Sequence, residues 1–101
     1  MKSFGDMVKE AQKVQRKMAE LQDKLAEDRY EASAGGGMVK VVVDGKQMLK
    51  QITLSPEAMK EGDASLLEDL ILTAMGEAQR ASADKMDESI GQVTGGFKLP
   101  F

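Results

Sequence analysis

The chain of 101 residues contains no cysteine, no histidine and no tryptophan, only two prolines, and four aromatic side chains: Phe4, Tyr30, Phe97 and Phe101. Each absence excludes something. Without Cys or His there is no disulfide framework, no zinc site of the usual kind, no thiol or imidazole nucleophile–base pair, and no haem held by those ligands. An enzyme would be left with carboxylates, lysines, serines and one tyrosine, and nothing in the order of residues assembles a nucleophile, a base and an oxyanion donor. No stretch approaches the roughly 18–20 apolar residues of a membrane span, and the first fifteen residues hold no continuous apolar run. These absences predict a soluble cytoplasmic protein that is not an enzyme and has no cofactor, no metal and no small-molecule substrate. A domain of this size buries only about two-thirds of the surface its unfolded chain exposes, so so few aromatics leave a thin monomeric core. Eight methionines suit adaptable contacts between helices or subunits, which points to a homo-oligomer.

What is present divides by period. Over residues 4–25 the apolar positions Phe4, Met7, Ala11, Val14, Met18, Leu21 and Leu25 alternate spacings of three and four. That is a coiled-coil-like seam sustained for three heptads, and it predicts helix over about 4–28, with Ser3 as N-cap and Asp6 in the first turn. Over about 29–54 the period becomes two. Tyr30, Ala32 and Ala34, then Val39, Val41 and Val43, then Met48, Ile52 and Leu54 mark three strands. Gly35-Gly36-Gly37 supplies positive φ for a first hairpin, and Asp44-Gly45 predicts a two-residue turn for a second. The expected result is a three-stranded antiparallel meander, polar on one face and needing cover on the other.

Ser55-Pro56-Glu57 opens a short helix over 56–61, ended by Gly62. Ser65-Leu66-Leu67-Glu68 has capping-box spacing and predicts a long helix over 65–93, stopped at Gly95-Gly96 and followed by a tail over 94–101. At 1.5 Å per residue the two long helices would measure about 36 and about 43 Å, whereas a 100-residue globule has a radius of gyration near 13 Å. One or both must project. Gly76, inside the long helix, costs about 1 kcal/mol relative to Ala and hints at a bend or the close approach of another backbone.

The net charge is −3, and the sequence pI is near 5.0. Most nucleic-acid-binding domains are basic, because neutralising phosphates releases counterions. Yet residues 9–17 carry Lys9, Lys13, Arg16 and Lys17 against Glu10 alone. With Phe4 at heptad position a, these four sit at f, c, f and g, a cationic stripe facing away from the seam. Arg80 and Lys85 on the last helix are weaker candidates, flanked by Asp84, Asp87 and Glu88. From the residues alone, an ordinary solvated helix face is the better account of the stripe. Gly35-Gly36-Gly37 lacks the Lys-Ser/Thr and following helix of a phosphate loop, and Asp63, Glu68 and Asp69 lack calcium-loop spacing, so neither is read as a site.

The order of these pieces carries a resemblance. A heptad-like first helix, the glycine-rich hairpin, Val39-Lys40-Val41, Asp44-Gly45-Lys46, Ile52-Thr53-Leu54-Ser55-Pro56, Leu67-Glu68-Asp69-Leu70 and the closing Gly96-Phe97-Lys98-Leu99-Pro100-Phe101 together resemble the YbaB/EbfC family of bacterial nucleoid-associated proteins. The resemblance spans essentially the whole chain. It implies an α+β fold with an α-β-β-β-α subunit, a tweezer-like homodimer, location in the cytoplasm and nucleoid, and binding of double-stranded DNA without catalysis. On that reading Lys9, Lys13, Arg16, Lys17, Arg80 and Lys85 contact phosphates with weak sequence preference. The alternative is a dimeric adaptor that grips partner helices through its seam, with nucleic acid irrelevant.

Overall fold

The computed structural model describes residues 3–95; of the expected tail over 94–101, Thr94 still belongs to the last helix and residues 96–101 lie outside the described ones. The element order is α1 (Phe4–Glu27), β1 (Tyr30–Ala34), β2 (Val39–Val43), β3 (Leu49–Leu54), α2 (Pro56–Glu61) and α3 (Ala64–Thr94). The three strands form one antiparallel sheet in the order β1-β2-β3. This is the α-β-β-β-α arrangement that the change of period from seven to two announces.

Pairing puts Tyr30, Ala32 and Ala34 opposite Val43, Val41 and Val39. Leu54, Ile52 and Leu49 lie across from Val39, Val41 and Val43 on the other side. All nine therefore share one face of the sheet. The first half of α3 lies on that face over β1 and β2, where Val39, Val41 and Val43 are fully buried against Ala74 and Ala78. Alanines on both the strand and the helix let the backbones approach closely, and each buried valine contributes about 1.5–3 kcal/mol. The third strand is left without a helix, so Ile52 remains 43% exposed.

Three local details differ from the sequence reading. First, α3 is capped by Asp63, whose carboxylate accepts from the Leu66 amide at 3.1 Å, so the helix begins before Ser65. An Asp accepts that amide bond and also complements the helix dipole, which Ser cannot do. Second, the turn between β2 and β3 is longer than two residues, and its left-handed residue is Gln47 (φ 68°) rather than Gly45. Third, the ladder is irregular at Val42/Val43, so Val43 meets Leu49 and Met48 falls outside the strand. Such an irregularity reverses the parity of every residue beyond it, which a strict two-residue period cannot anticipate. The first hairpin does use positive φ at Gly35, Gly36 and Gly37.

The molecule measures 68 × 24 × 16 Å, with a radius of gyration of 19.4 Å. α1 and α3 run antiparallel as an arm leaving the sheet: α1 meets the body at Leu25, which is buried, and α3 leaves it near Ser82. Toward the other end of α1 the seam opens. Leu21, Met18 and Val14 are half-buried, whereas Phe4 is 81% exposed. With α3 about 46 Å long, the 68 Å dimension leaves about 20 Å of α1 extending past the end of α3.

Candidate nucleic-acid interface

The six cations singled out in the sequence do not form one cluster. Lys9, Lys13 and Arg16 are exposed on the outer face of α1, opposite the seam, within the part that extends past α3. Lys17 lies at the edge of a groove of about 700 Å³ between α1 and the distal part of α3, and Lys85 stands on the same groove. Lys85 is also 3.8 Å from Glu88, one turn along its own helix. Arg80 is exposed on α3 close to Ser82, at the body end of the arm. Lys9 is sixteen residues from the root of α1, so Arg80 and Lys9 are separated by on the order of 20 Å along the arm.

Lys24 also stands on the groove, together with Leu21, Leu25 and Val93. Sequence reasoning passed over it, although it shares heptad position g with Lys17, and that shared position was the available signal. The groove is not basic overall. Glu20, Glu27 and Asp28 line it as well, balancing Lys17, Lys24 and Lys85. Positive charge in excess therefore belongs to the tip of the arm rather than to its root.

The sheet explains why the tip matters. Residues 29–55 carry four basic and two acidic groups, but three of the four cations are engaged locally. The Arg29 guanidinium donates to the carbonyls of Ala26 (2.9 Å) and Asp28 (2.8 Å), closing the C-terminus of α1. Lys40 pairs with Glu31 at 3.2 Å and Lys50 with Asp44 at 3.7 Å. Lysine or arginine at a helix C-terminus complements the dipole, which is a structural role.

Asp44 is the one carboxylate buried in the body, at 2% exposure. Burial by itself would raise its pKa; the Met48 and Lys46 amides, with Lys50 and Arg29 nearby, hold it below the usual carboxylate value instead. It organises the turn and faces no open site. The Tyr30 hydroxyl is raised by burial and by the charges of Asp28 and Glu88, so it stays protonated and neutral at physiological pH. Among the described residues no group of three or more His, Cys, Asp or Glu could hold a metal ion. No helix among them is long and apolar enough to cross a membrane.

A sheet half covered by one helix, with a two-helix arm whose tip is cationic and exposed, defines a binding module that presents a helix face. The YbaB/EbfC DNA-binding family model matches residues 1–97, and the chain belongs to that family. It is 44% identical over 95 residues to a protein of Acetivibrio thermocellus named nucleoid-associated protein, covering 94% of this chain and 84% of the other. A protein of the same name from Pelotomaculum thermopropionicum is 39% identical, covering 97% and 93%. The crystal structure of an uncharacterized protein from Helicobacter pylori shares the fold, with a TM-score of 0.86 at 16% identity over 94% of this chain and all of that one.

Proposed function

We propose that the protein is a nucleoid-associated homodimer that holds duplex DNA through phosphate contacts made by its arms, without catalysis. The observation that carries this reading is the exposure of Lys9, Lys13 and Arg16 on the part of α1 that α3 does not cover, on the side away from the apolar seam. Lys17 and Lys85 add to the same arm from the groove. Arg80 contacts DNA only if the duplex reaches the body. Gln12 and Gln15, between the cations, are the only nearby amides able to touch base edges, so binding is weakly selective for sequence.

The dimer is supported by the uncovered half of the sheet. Gln79 reaches the carbonyl of Gln47 at the turn leading into β3, and Leu72 and Gly76 lie on the same side of α3 as Gln79, turned away from the sheet-facing Ala74 and Ala78. Leu72 is 71% exposed, and nothing in the chain lies within 4 Å of a Cβ built on Gly76. Leu72, Leu49 and Ile52 are thus apolar side chains left without cover in the chain, and Gly76 lets a second helix backbone come near. A second copy seated there in two-fold fashion buries the same patch on both subunits. An interface of about 1,600 Å² in total would be of standard size.

Fluorescence anisotropy on a labelled duplex, repeated over a salt series, tests the DNA reading. Lys9, Lys13, Arg16 and Lys17 from two subunits allow eight phosphate contacts, worth a slope of log K against log salt of about −7, and Lys85 from both raises the limit to about −9; the expected slope is about −3 to −5, with about half of them engaged. Replacing Lys13, Arg16 and Lys17 together by Ala is expected to remove most of the affinity while melting and mass stay unchanged, since all three lie outside the seam and Ala is the better helix former. If that variant binds as the parent does, the stripe is a solvated face. The adaptor reading is favoured by one observation, the exposed seam end at Phe4 and Met7, and it prevails if the parent does not bind duplex DNA at low salt.

A further inference from the structure

The turn between β2 and β3 holds both helices of the arm. The Gly45 amide donates to the carbonyl of Leu25 in the last turn of α1, at 2.7 Å. The Ser82 hydroxyl, buried on α3, donates to the carbonyl of Asp44 at 2.8 Å. The turn itself is stiff: the Asp44 carboxylate accepts from the amides of Lys46 (2.8 Å) and Met48 (3.0 Å), and the Asp44 carbonyl also accepts from the Gln47 amide. The places where α1 enters the body and where α3 leaves it are thus tied to adjacent residues of one rigid loop.

Gly45 is not there to make the turn. Its φ lies outside the left-handed region, and the residue that does adopt positive φ is Gln47. A side chain at 45 is forbidden by α1 instead. A Cβ built there falls 2.6 Å from the Leu25 carbonyl oxygen and 2.9 Å from its Cα. These are backbone atoms on both sides, so no rotamer change relieves the contact. We propose that this turn is the pivot that fixes the direction of α1 relative to the sheet, and that Gly45 is a positioning residue for duplex binding. The second half of the proposal rests on the DNA reading; the first half does not.

The geometry sets the size of the effect. Restoring an ordinary contact requires Leu25 to retreat by about 0.8 Å, because ordinary van der Waals contact of a Cβ lies at 3.4–4 Å. With Leu21 as the next point of contact, about 6 Å along the helix, that retreat is magnified to about 2 Å at Gln12 and about 3 Å at Phe4. A stripe that must follow a phosphate backbone loses register on that scale.

The test uses the chain's lack of cysteine. Gln12→Cys and Ser33→Cys place spin labels on the exposed arm and on the solvent face of the sheet, and labelled chain diluted into excess unlabelled chain reports the distance within one subunit. Gly45→Ala is expected to shift that distance by up to about 2 Å and to weaken duplex binding about tenfold, with the mass of the particle unchanged. Ser82→Ala, which fits the helix and frees one tie, is expected to broaden the distance distribution, and it decides the matter if Gly45→Ala does not fold. Unchanged distance distributions in the folded variants overturn the pivot. A shifted distance with binding within twofold of the parent overturns the positioning role. If the parent itself does not bind duplex, the DNA reading falls while the distance still decides the pivot.

Discussion

Replacing Leu72 by Ala tests the dimer without disturbing the subunit. Leu72 is 71% exposed on α3, so it contributes little to the folded monomer, and Ala is a slightly better helix former. Burying a leucine fully is worth about 1.5–3 kcal/mol, and the exposed fraction leaves about 1–2 kcal/mol to be gained when a second copy covers it. A two-fold interface uses the residue twice, so the loss on truncation is about 2–4 kcal/mol, or about thirtyfold to a thousandfold in dimer dissociation constant. Sedimentation equilibrium across nanomolar to high micromolar concentration measures this directly. The parent should run at twice the chain mass of 11.0 kDa, and the variant should dissociate at concentrations where the parent does not. Glu77→Ala, on an exposed position of the same helix, is the control. A dissociation constant for Leu72→Ala within twofold of the parent would refute the assignment of this surface as the interface.

Two further outcomes concern the body. Asp44→Ala removes the charged acceptor of the Lys46 and Met48 amides and should lower the free energy of unfolding by about 2–4 kcal/mol, read from the denaturant midpoint. The Asp44 carboxyl is held below its unfolded value, so its contribution is present above that value and fades as pH falls through the folded one; acid should destabilise the parent below about pH 4, and Asp44→Asn should flatten that dependence. Gly35→Ala meets both positive φ (65°) and the Leu70 side chain 2.8 Å from the new Cβ, so it should cost about 2 kcal/mol or more, read as a loss in melting temperature, whereas Gly36→Ala meets only the backbone strain.

What the sequence made legible was whatever repeats. Seven seam positions announced α1 and alternating valines announced β2, because burial on one face forces one period. The uneven burial of that seam, from exposed Phe4 to buried Leu25, could not be read, since the heptad pattern says nothing about where a partner helix stops. The cap of α3 was missed because Asp63 and Ser65 are both good caps two residues apart, and the one that wins is set by where the chain leaves α2 at left-handed Gly62. Gly45 was read as a turn residue when it is a contact residue. A glycine forced by backbone geometry and one forced by a neighbouring helix look identical in sequence. Of the candidate interface, the stripe at Lys9, Lys13 and Arg16 was legible from helical spacing, while the separation of Arg80 from it needed the direction of α3.

The acidic balance of the chain, which argued against DNA in the sequence, loses its force once charge is placed along the arm. Nine of the seventeen carboxylates fall in residues 56–101, chiefly along α3, and Glu20, Asp23, Glu27 and Asp28 sit at the root of α1. The tip retains Lys9, Lys13 and Arg16 against Asp6 and Glu10. At physiological ionic strength exposed charges are screened over about 8 Å, so carboxylates at the body contribute little to the field at a tip about 20 Å away. A phosphate approaching Lys9 or Lys13 therefore experiences the local excess of positive charge and not the net charge of the molecule. This works only because α1 outruns α3. The projecting length of α1 is thus what allows an acidic chain to carry a cationic surface.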